Sequence, residues 1–182
     1  FDTAPHIVNA GVAAMTKGDT RYVAKRAAEL KKAICEKFQR ENGLSYDPAV
    51  VVVSNGAKQS IYNILQVLVD EGDEVIIPMP YWVSYLEMVR LAGGQPVILE
   101  SSEETGFKVT PAQLEQAITP KTKLFMHNSP SNPTGAMYTP QEVKTLAAVL
   151  EKHGVVALSD EIYEHLIYGD IPHQSLAACS PK

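Results

Sequence analysis

The hydrophobic residues of this chain follow two patterns that alternate along its length. Apolar residues three and four positions apart predict amphipathic helices, and short continuous apolar runs predict buried strands. The predicted helices cover residues 6–18, 27–42, 57–70, 84–94, 110–118 and 139–154. The predicted strands cover residues 50–54, 74–78, 96–100, 123–128 and 155–159. Glycine follows several helical runs, as at Gly43 and Gly154, and a Thr-Pro pair begins each of the last two helices.

Strands that are apolar on both faces and separated by helices indicate a largely parallel sheet that is covered on each side. We therefore predict an α/β fold, with a mostly parallel sheet sandwiched by helices. In such sheets, ligands bind beyond the carboxyl ends of the strands. Polar pairs lie at the carboxyl ends of three of the predicted strands: Asn55 with Gly56, His127 with Asn128, and Asp160 with Glu161. These pairs place the candidate site at one edge of the sheet.

Length, composition and charge narrow the classes of function. The 182 residues, 45% hydrophobic and 20% charged, suffice for one ordinary globular domain with a core. The net charge of −5 argues against a nucleic-acid backbone as the main partner, although a few local donors can hold a small anion. No apolar run approaches the ~18 residues that span a bilayer, and we recognise no signal peptide. The two distant cysteines suit a reducing compartment, so we expect a cytoplasmic protein, although organelle targeting stays open because no initiator Met is present.

Three segments at the predicted edge offer candidate ligand contacts. SNGAKQS, at 54–60, is a glycine turn before a helix, where backbone N–H groups can hold a phosphate; it can equally be an ordinary helix start. The only tryptophan, Trp82, follows a strand, where it can stack on a flat ring or fill the core. NSPSNPTG, at 128–135, is a long loop in which Asn132 offers an amide and the prolines can carry cis bonds.

Asp160 stands at the end of the last predicted strand, within VVALSDEIYEHLIY at 155–168. Burying a carboxylate is costly without a partner, so Asp160 is a candidate partner for a buried cation. It can also be a simple cap for the residues that follow. The sequence contains neither GxSxG nor HExxH, and structural or solvated roles explain Glu161 and Glu164 better than a metal pair does.

Taken in order, SNGAKQ, GDEVIIPMPYWVSY, NSPSNPTGAMY and SDEIYEHLIY resemble the pyridoxal-phosphate-dependent aminotransferases of fold type I, class I, in the branch of bacterial-type aspartate aminotransferases. The resemblance covers almost the whole chain. It implies a three-layer α/β/α large domain that binds the cofactor and is incomplete over residues 1–182. It also implies transamination, with aspartate and 2-oxoglutarate as the first expectation and prephenate or an aromatic acid as alternatives.

The resemblance assigns contacts with pyridoxal 5'-phosphate to eight residues: Gly56, Ala57, Lys58, Trp82, Asn132, Asp160, Tyr163 and Tyr22. The three residues from Gly56 to Lys58 would hold the phosphate, mainly through backbone N–H groups. Tyr22 would reach the phosphate bound by the other subunit of a homodimer.

The remaining four of these residues would contact the cofactor ring. Trp82 would stack on the pyridine ring, and Asp160 would pair with the pyridine nitrogen. Asn132 and Tyr163 would bind the phenolic oxygen of the ring. Paired with Asp160, the protonated ring would withdraw electrons from the substrate, which is the chemistry of this cofactor.

The family's Schiff-base lysine follows a later segment of the chain. We therefore expect that lysine and the small C-terminal domain beyond Lys182, and we assign no catalytic residue and no metal site within the sequence. The 182 residues alone are expected to show no turnover. Two alternatives stay open: a non-catalytic domain that binds the cofactor or another ligand, and a related lyase or synthase on the same scaffold.

Overall fold

Helices and strands alternate through most of the chain, as the hydrophobic pattern predicts. The computed structural model describes residues 1–21 and 27–179. In this part of the chain, the helices are α1 Pro5–Thr16, α2 Ala27–Lys37, α3 Ala57–Leu68, α4 Ser84–Leu91, α5 Pro111–Ala117 and α6 Pro140–His153. The strands are β1 Glu74–Met79, β2 Gln95–Glu100, β3 Thr122–Asn128 and β4 Val156–Asp160.

The four strands form one parallel sheet in the order β2-β1-β3-β4. The prediction of a parallel α/β fold is therefore confirmed. The register between β3 and β4 sets Asn128 beside Asp160, so the last residues of both strands share the carboxyl edge.

The sheet is covered on both faces, because neighbouring residues of each central strand enter different cores. Val75 and Ile77 of β1 pack in a cluster with α3 and α4, whereas Ile76 packs with α5 and α6. Leu124 and Phe125 of β3 divide in the same way. A fully buried aliphatic or aromatic side chain contributes roughly 1.5–3 kcal/mol, so continuous apolar runs are what a doubly covered sheet requires.

The helix ends follow the predicted capping chemistry. Thr110 and Thr139 each accept a hydrogen bond from the backbone three residues on, and Gln113 and Glu142 bond back to them. Gly154 ends α6 with a φ of 65°, which favours glycine. These contacts satisfy backbone groups that the helices leave unpaired at their ends.

The predicted strand at 50–54 is wrong in the described structure. Pro48–Val50 form a short 3₁₀ turn, and Val51 is extended, but residues 51–54 pair with none of the four strands. Val52 is 77% exposed. A run of valines favours extended backbone, but a strand also needs a neighbour that bonds to its backbone, and the hydrophobic pattern does not identify one.

The two N-terminal helices bury no residue, unlike α3 to α6. Beyond α2, a π-helical turn spans Phe38–Asn42 and ends at Gly43 with a φ of 68°. Lys37 anchors this region to the loop after β4 through an ion pair with Glu164, and Asn42 Nδ2 donates to the same carboxylate at 3.1 Å. None of the helices described is both long and apolar enough to cross a membrane.

Candidate cofactor site

Asn128 joins two residues that the sequence analysis assigns to the site. Its side-chain amide donates to the backbone oxygen of Asp160 at 2.9 Å. Its side-chain oxygen accepts from the backbone N–H of Asn132 at 2.8 Å. Asp160 and Asn132 therefore lie at the same edge of the sheet, as predicted, and one amide fixes their spacing. Asn128 lies at a predicted strand end, but the sequence pattern alone does not indicate this bridging role.

The loop that carries Asn132 is held by its own backbone. Ser131 N donates to Ala136 O at 2.9 Å, and Gly135 N donates to Ser131 O at 2.8 Å. The peptide bonds before Pro130 and Pro133 are cis, as the proline-rich sequence allowed. Asn132 is partly buried in this loop, so its side chain can meet a ligand at the sheet edge.

Tyr85 is the direct partner of Asp160, although the sequence pattern does not indicate this contact. Its hydroxyl donates to Asp160 Oδ2 at 2.6 Å, which is a short, charge-assisted hydrogen bond. Tyr85 lies in the first turn of α4 and is 2% exposed. Burial raises the pKa of Tyr85 well above its ordinary value, and the bond to the Asp160 carboxylate raises this pKa further. Tyr85 is therefore a permanent donor.

The structure corrects the premise that Asp160 is buried and must have a cationic partner. Asp160 is only partly buried, and the Tyr85 hydroxyl already satisfies Oδ2. Its Oδ1 accepts from Ile162 N at 3.3 Å, which is a weak turn contact of the predicted cap type. A carboxylate has about four lone-pair sites, so Asp160 keeps capacity to accept a further N–H donor.

Trp82 sits between the start of α3 and the start of α4. Its ring meets the Tyr85 ring edge-on, with centroids 5.5 Å apart at 90°. Lys58 Nζ lies 4.9 Å from the centroid of the Trp82 ring. Trp82 also packs against the core cluster of α3 and α4 while staying partly exposed. The side chain therefore fills part of the core and still offers surface to a ligand.

The turn before α3 has the geometry of an anion site. Gly56 caps the helix with a φ of 82°, and it offers no side-chain cap to the first helical N–H groups. A Cβ at Gly56 would meet nothing within 4 Å, so its surroundings are open. An alanine there would be strained by the positive φ. Helix N-termini attract anions, and the first turn holds Ala57 and Lys58.

All eight predicted cofactor contacts remain predictions, including those of Tyr163 and Tyr22. Tyr163 is partly buried and lies close enough to Tyr85 to contribute to the raised pKa of Tyr85. It follows Asp160 in a series of turns rather than in a helix, with Leu166 N donating to Tyr163 O at 2.8 Å. Tyr22 lies outside the described residues.

Glu161, beside Asp160, is fully engaged by the protein. Its carboxylate accepts from Ser159 Oγ at 2.6 Å, from Ser175 Oγ and Leu176 N at 3.1 Å each, and it pairs with His173 Nε2 at 3.1 Å. Burial alone would raise the pKa of Glu161, but the hydrogen bonds from His173, Ser159 and Leu176 hold it below the ordinary value. Glu161 therefore fastens the segment at 173–176 to the end of β4.

Comparisons with known proteins identify the family of this chain. The family model for aminotransferase class I and II matches residues 1–180. The chain is 54% identical to aspartate aminotransferase of Geobacillus stearothermophilus over 183 aligned residues, covering 100% of this chain and 47% of that protein. It is also 54% identical to aspartate/prephenate aminotransferase of Cereibacter sphaeroides, covering 100% of this chain and 46% of that protein.

A solved structure shows the same fold. Aspartate aminotransferase from Thermus thermophilus with maleate superimposes with a TM-score of 0.94 at 46% identity, over 100% of this chain and 47% of that one. The chain therefore belongs to the class I and II aminotransferases. It spans about half the length of the curated relatives it matches.

Proposed function

We propose that the full-length protein is an aminotransferase that uses pyridoxal 5'-phosphate. Members of this family use that cofactor. The observation that carries the proposal is the hydrogen-bonded series Tyr85–Asp160–Asn128–Asn132, which brings a carboxylate with spare acceptor capacity and a loop amide to the carboxyl edge of the sheet. These groups fit a pyridine ring that carries a proton on its nitrogen and a phenolic oxygen on a ring carbon. The carboxylate would accept from the nitrogen, and the amide would donate to the oxygen.

Asp160 supplies the charge in this proposal. It would accept the N–H of the pyridine ring and keep that nitrogen protonated. At ~4 Å, such a pair is worth roughly 4 kcal/mol of Coulomb energy at an effective dielectric of about 20, before desolvation. When bound, the protonated cofactor supplies an electron sink for the substrate carbon from which a proton is lost.

The other residues would hold the cofactor in place. Gly56, Ala57 and Lys58 would bind the phosphate at the start of α3, where the open glycine turn supports this role. Trp82 would lie against the ring, and Asn132 with Tyr163 would bind the ring oxygen. These roles come from the family resemblance, and the geometry of the described residues is compatible with them.

Assembly and location extend the proposal. We propose a cytoplasmic homodimer in which Tyr22 reaches the phosphate of the partner site, and we propose that residues 1–182 belong to the cofactor-binding large domain. The Schiff-base lysine beyond Lys182 stays a prediction. Light scattering on the full-length protein tests the dimer, and a fully active monomer would contradict it.

The proposed substrates are aspartate and 2-oxoglutarate. Both similar curated proteins act on aspartate by name, and the Thermus structure holds maleate, which is a dicarboxylate. Prephenate is the alternative acceptor because the Cereibacter relative is named for it. The choice of substrates rests on these relatives.

The test is a matched set of amino-transfer assays on the full-length protein with added pyridoxal 5'-phosphate. We expect glutamate to form from aspartate and 2-oxoglutarate, and the competing pair of aspartate and prephenate measures acceptor choice. Cofactor binding without amino transfer would favour a non-catalytic binding domain. Cofactor-dependent loss of a substituent from the amino acid, without a 2-oxo acid acceptor, would favour a lyase or synthase.

A further inference from the structure

We propose that Tyr85 is a positioning residue, which holds one oxygen of the Asp160 carboxylate so that the other oxygen stays directed at the cofactor nitrogen. The proposal rests on the function proposed above, because it concerns the pairing of Asp160 with a pyridine ring. No contact between Tyr85 and the cofactor is required.

The hydrogen bonds around Asp160 assign this task to Tyr85. Asn128 fixes the backbone oxygen of Asp160, but it does not touch the carboxylate. The contact from Ile162 N to Oδ1 is long, at 3.3 Å. The terminal torsion of an aspartate is broad, so backbone anchoring alone leaves the carboxylate free to turn. The 2.6 Å bond from Tyr85 to Oδ2 is the short contact that fixes its plane.

Tyr85 is itself rigidly placed. It is 2% exposed in the core cluster that α3 and α4 form on the sheet, and its ring packs edge-on against Trp82. The packing of the Tyr85 ring in the core therefore fixes the position of its hydroxyl. Burial and the carboxylate both raise the pKa of Tyr85, so this group donates throughout the physiological range and does not act as a base.

Loss of the Tyr85 bond would weaken the pairing of Asp160 with the cofactor. In a Tyr85→Phe variant, the carboxylate would turn more freely, so its oxygen would face the pyridine nitrogen less often. A less persistent pairing with the carboxylate charge reduces the protonated fraction of the ring.

The experiment uses full-length protein reconstituted with pyridoxal 5'-phosphate that carries an isotopic label at the ring nitrogen. In Tyr85→Phe, we expect the nitrogen chemical shift to move toward that of an unprotonated pyridine. We also expect the dissociation constant of the cofactor to rise about tenfold, as for the loss of one hydrogen bond to a charged group. Phe keeps the ring that packs in the core, so circular dichroism should be unchanged.

A double-mutant cycle separates positioning from packing. In an Asp160→Ala background, Tyr85→Phe should change neither the nitrogen shift nor the cofactor affinity further, because its carboxylate partner is gone. Tyr138→Phe is the matched control. That variant also removes a buried tyrosine hydroxyl, which accepts from Val109 N at 2.9 Å, and it should lower stability without altering the nitrogen shift.

Two results would overturn the role of Tyr85. One is a Tyr85→Phe variant with the wild-type nitrogen shift and affinity. The other is an equal effect of Tyr85→Phe with and without the Asp160 carboxylate. If the wild-type protein binds no cofactor, the proposed function fails and the role of Tyr85 fails with it. A wild-type protein that binds the cofactor and responds to Asp160→Ala, but not to Tyr85→Phe, rejects the role of Tyr85 alone.

Discussion

Asp160 and Glu161 are adjacent carboxylates at the end of β4, but the protein treats them differently. Glu161 has four hydrogen-bond or ion-pair partners within the chain: Ser159, Ser175, Leu176 N and His173. Asp160 has one short bond, from Tyr85, and one long backbone contact. A carboxylate accepts about four hydrogen bonds. Glu161 therefore has little capacity left for a ligand, whereas Asp160 can still accept further hydrogen bonds.

This contrast separates a structural carboxylate from one that is available to a ligand. Glu161 joins β4 to the segment that precedes the short 3₁₀ turn Leu176–Ala178. Asp160 lies on the side of Tyr85 and Trp82, with an oxygen that the protein only weakly occupies. Variants at Asp160 should therefore change cofactor chemistry, and variants at Glu161 should change folding stability.

The largest expected effect is at Asp160. In the full-length protein, Asp160→Ala should lower kcat by ~10²–10³, or about 3–4 kcal/mol, if Asp160 holds the ring nitrogen protonated as proposed. Asp160→Glu should retain more activity than Asp160→Ala. The assay is steady-state transamination, with circular dichroism to confirm folding.

Asp160→Asn is the decisive control for that prediction. Asparagine caps a turn as well as aspartate does, but it carries no charge. Near-normal turnover in Asp160→Asn would leave Asp160 as a cap and remove the basis for its pairing with the cofactor.

The next largest effect is expected at His127, which is buried and lies close enough to Glu161 to be influenced by its charge. Burial is the main cause that lowers the pKa of His127 from 6.5 to about 4; the Glu161 charge raises it and the His173 charge lowers it. The His127 ring is 2% exposed and packs against Tyr138, at 5.1 Å between ring centroids. Below pH 6.5 the unfolded chain takes up the proton before the folded one does.

Stability should therefore fall as the pH drops from 6.5 to about 4. The loss attributable to His127 should reach about 3 kcal/mol, at about 1.4 kcal/mol for each unit of pKa difference. Urea unfolding of His127→Leu across this range should show a shallower loss than wild type. His6→Gln, at an exposed histidine of α1, is the control and should keep the wild-type slope. Identical slopes for wild type and His127→Leu would contradict the prediction.

A smaller effect is expected for Glu161→Gln, which keeps the shape of the side chain and removes its charge. It should lower the free energy of unfolding by about 2 kcal/mol near neutral pH, since hydrogen bonds to a buried charge are worth more than neutral ones. The folded pKa of Glu161 lies below 4.5, so its contribution is present above 4.5 and is lost as the pH falls through the folded pKa. The gap between wild type and variant should therefore close in acid.

Chemical unfolding at several pH values measures that gap, and the cofactor affinity of Glu161→Gln is the control. Unchanged affinity with reduced stability would support the contrast with Asp160. A loss of cofactor affinity as large as that in Asp160→Ala would show that the two carboxylates do not have separate roles.

The comparison also explains what the sequence could and could not predict. The apolar runs of β1 and β3 predict strands correctly because both faces of those strands are buried. The valine run at 50–53 has the same pattern, but residues 51–54 find no strand partner among the described residues. Periodicity reports a tendency toward burial, and it does not specify which segment will pair with which.

At the candidate site, too, the sequence pattern predicts where residues lie but not every contact between them. The strand-end rule correctly brings Asp160, Asn128 and the Asn132 loop to one edge. It does not identify Tyr85, which is 75 positions from Asp160 in the chain. The sequence signal for Tyr85 is its position three residues after Trp82, in the first turn of α4.

The smallest expected effect concerns Trp82, which contacts Tyr85, the partner of Asp160. Trp82→Phe should keep a flat apolar face and the contact with Tyr85, so cofactor affinity should change by less than about threefold. Trp82→Ala should weaken affinity by up to about tenfold, because an aromatic pair contributes roughly 0.5–1.5 kcal/mol beyond area burial. Spectrophotometric titration of the cofactor measures both variants. Equal losses in Phe and Ala would mean that the indole N–H, rather than the ring face, binds the cofactor. Wild-type cofactor affinity in both variants would mean that Trp82 is only a core residue. The proposed cofactor site would then depend on Asp160 and Tyr85.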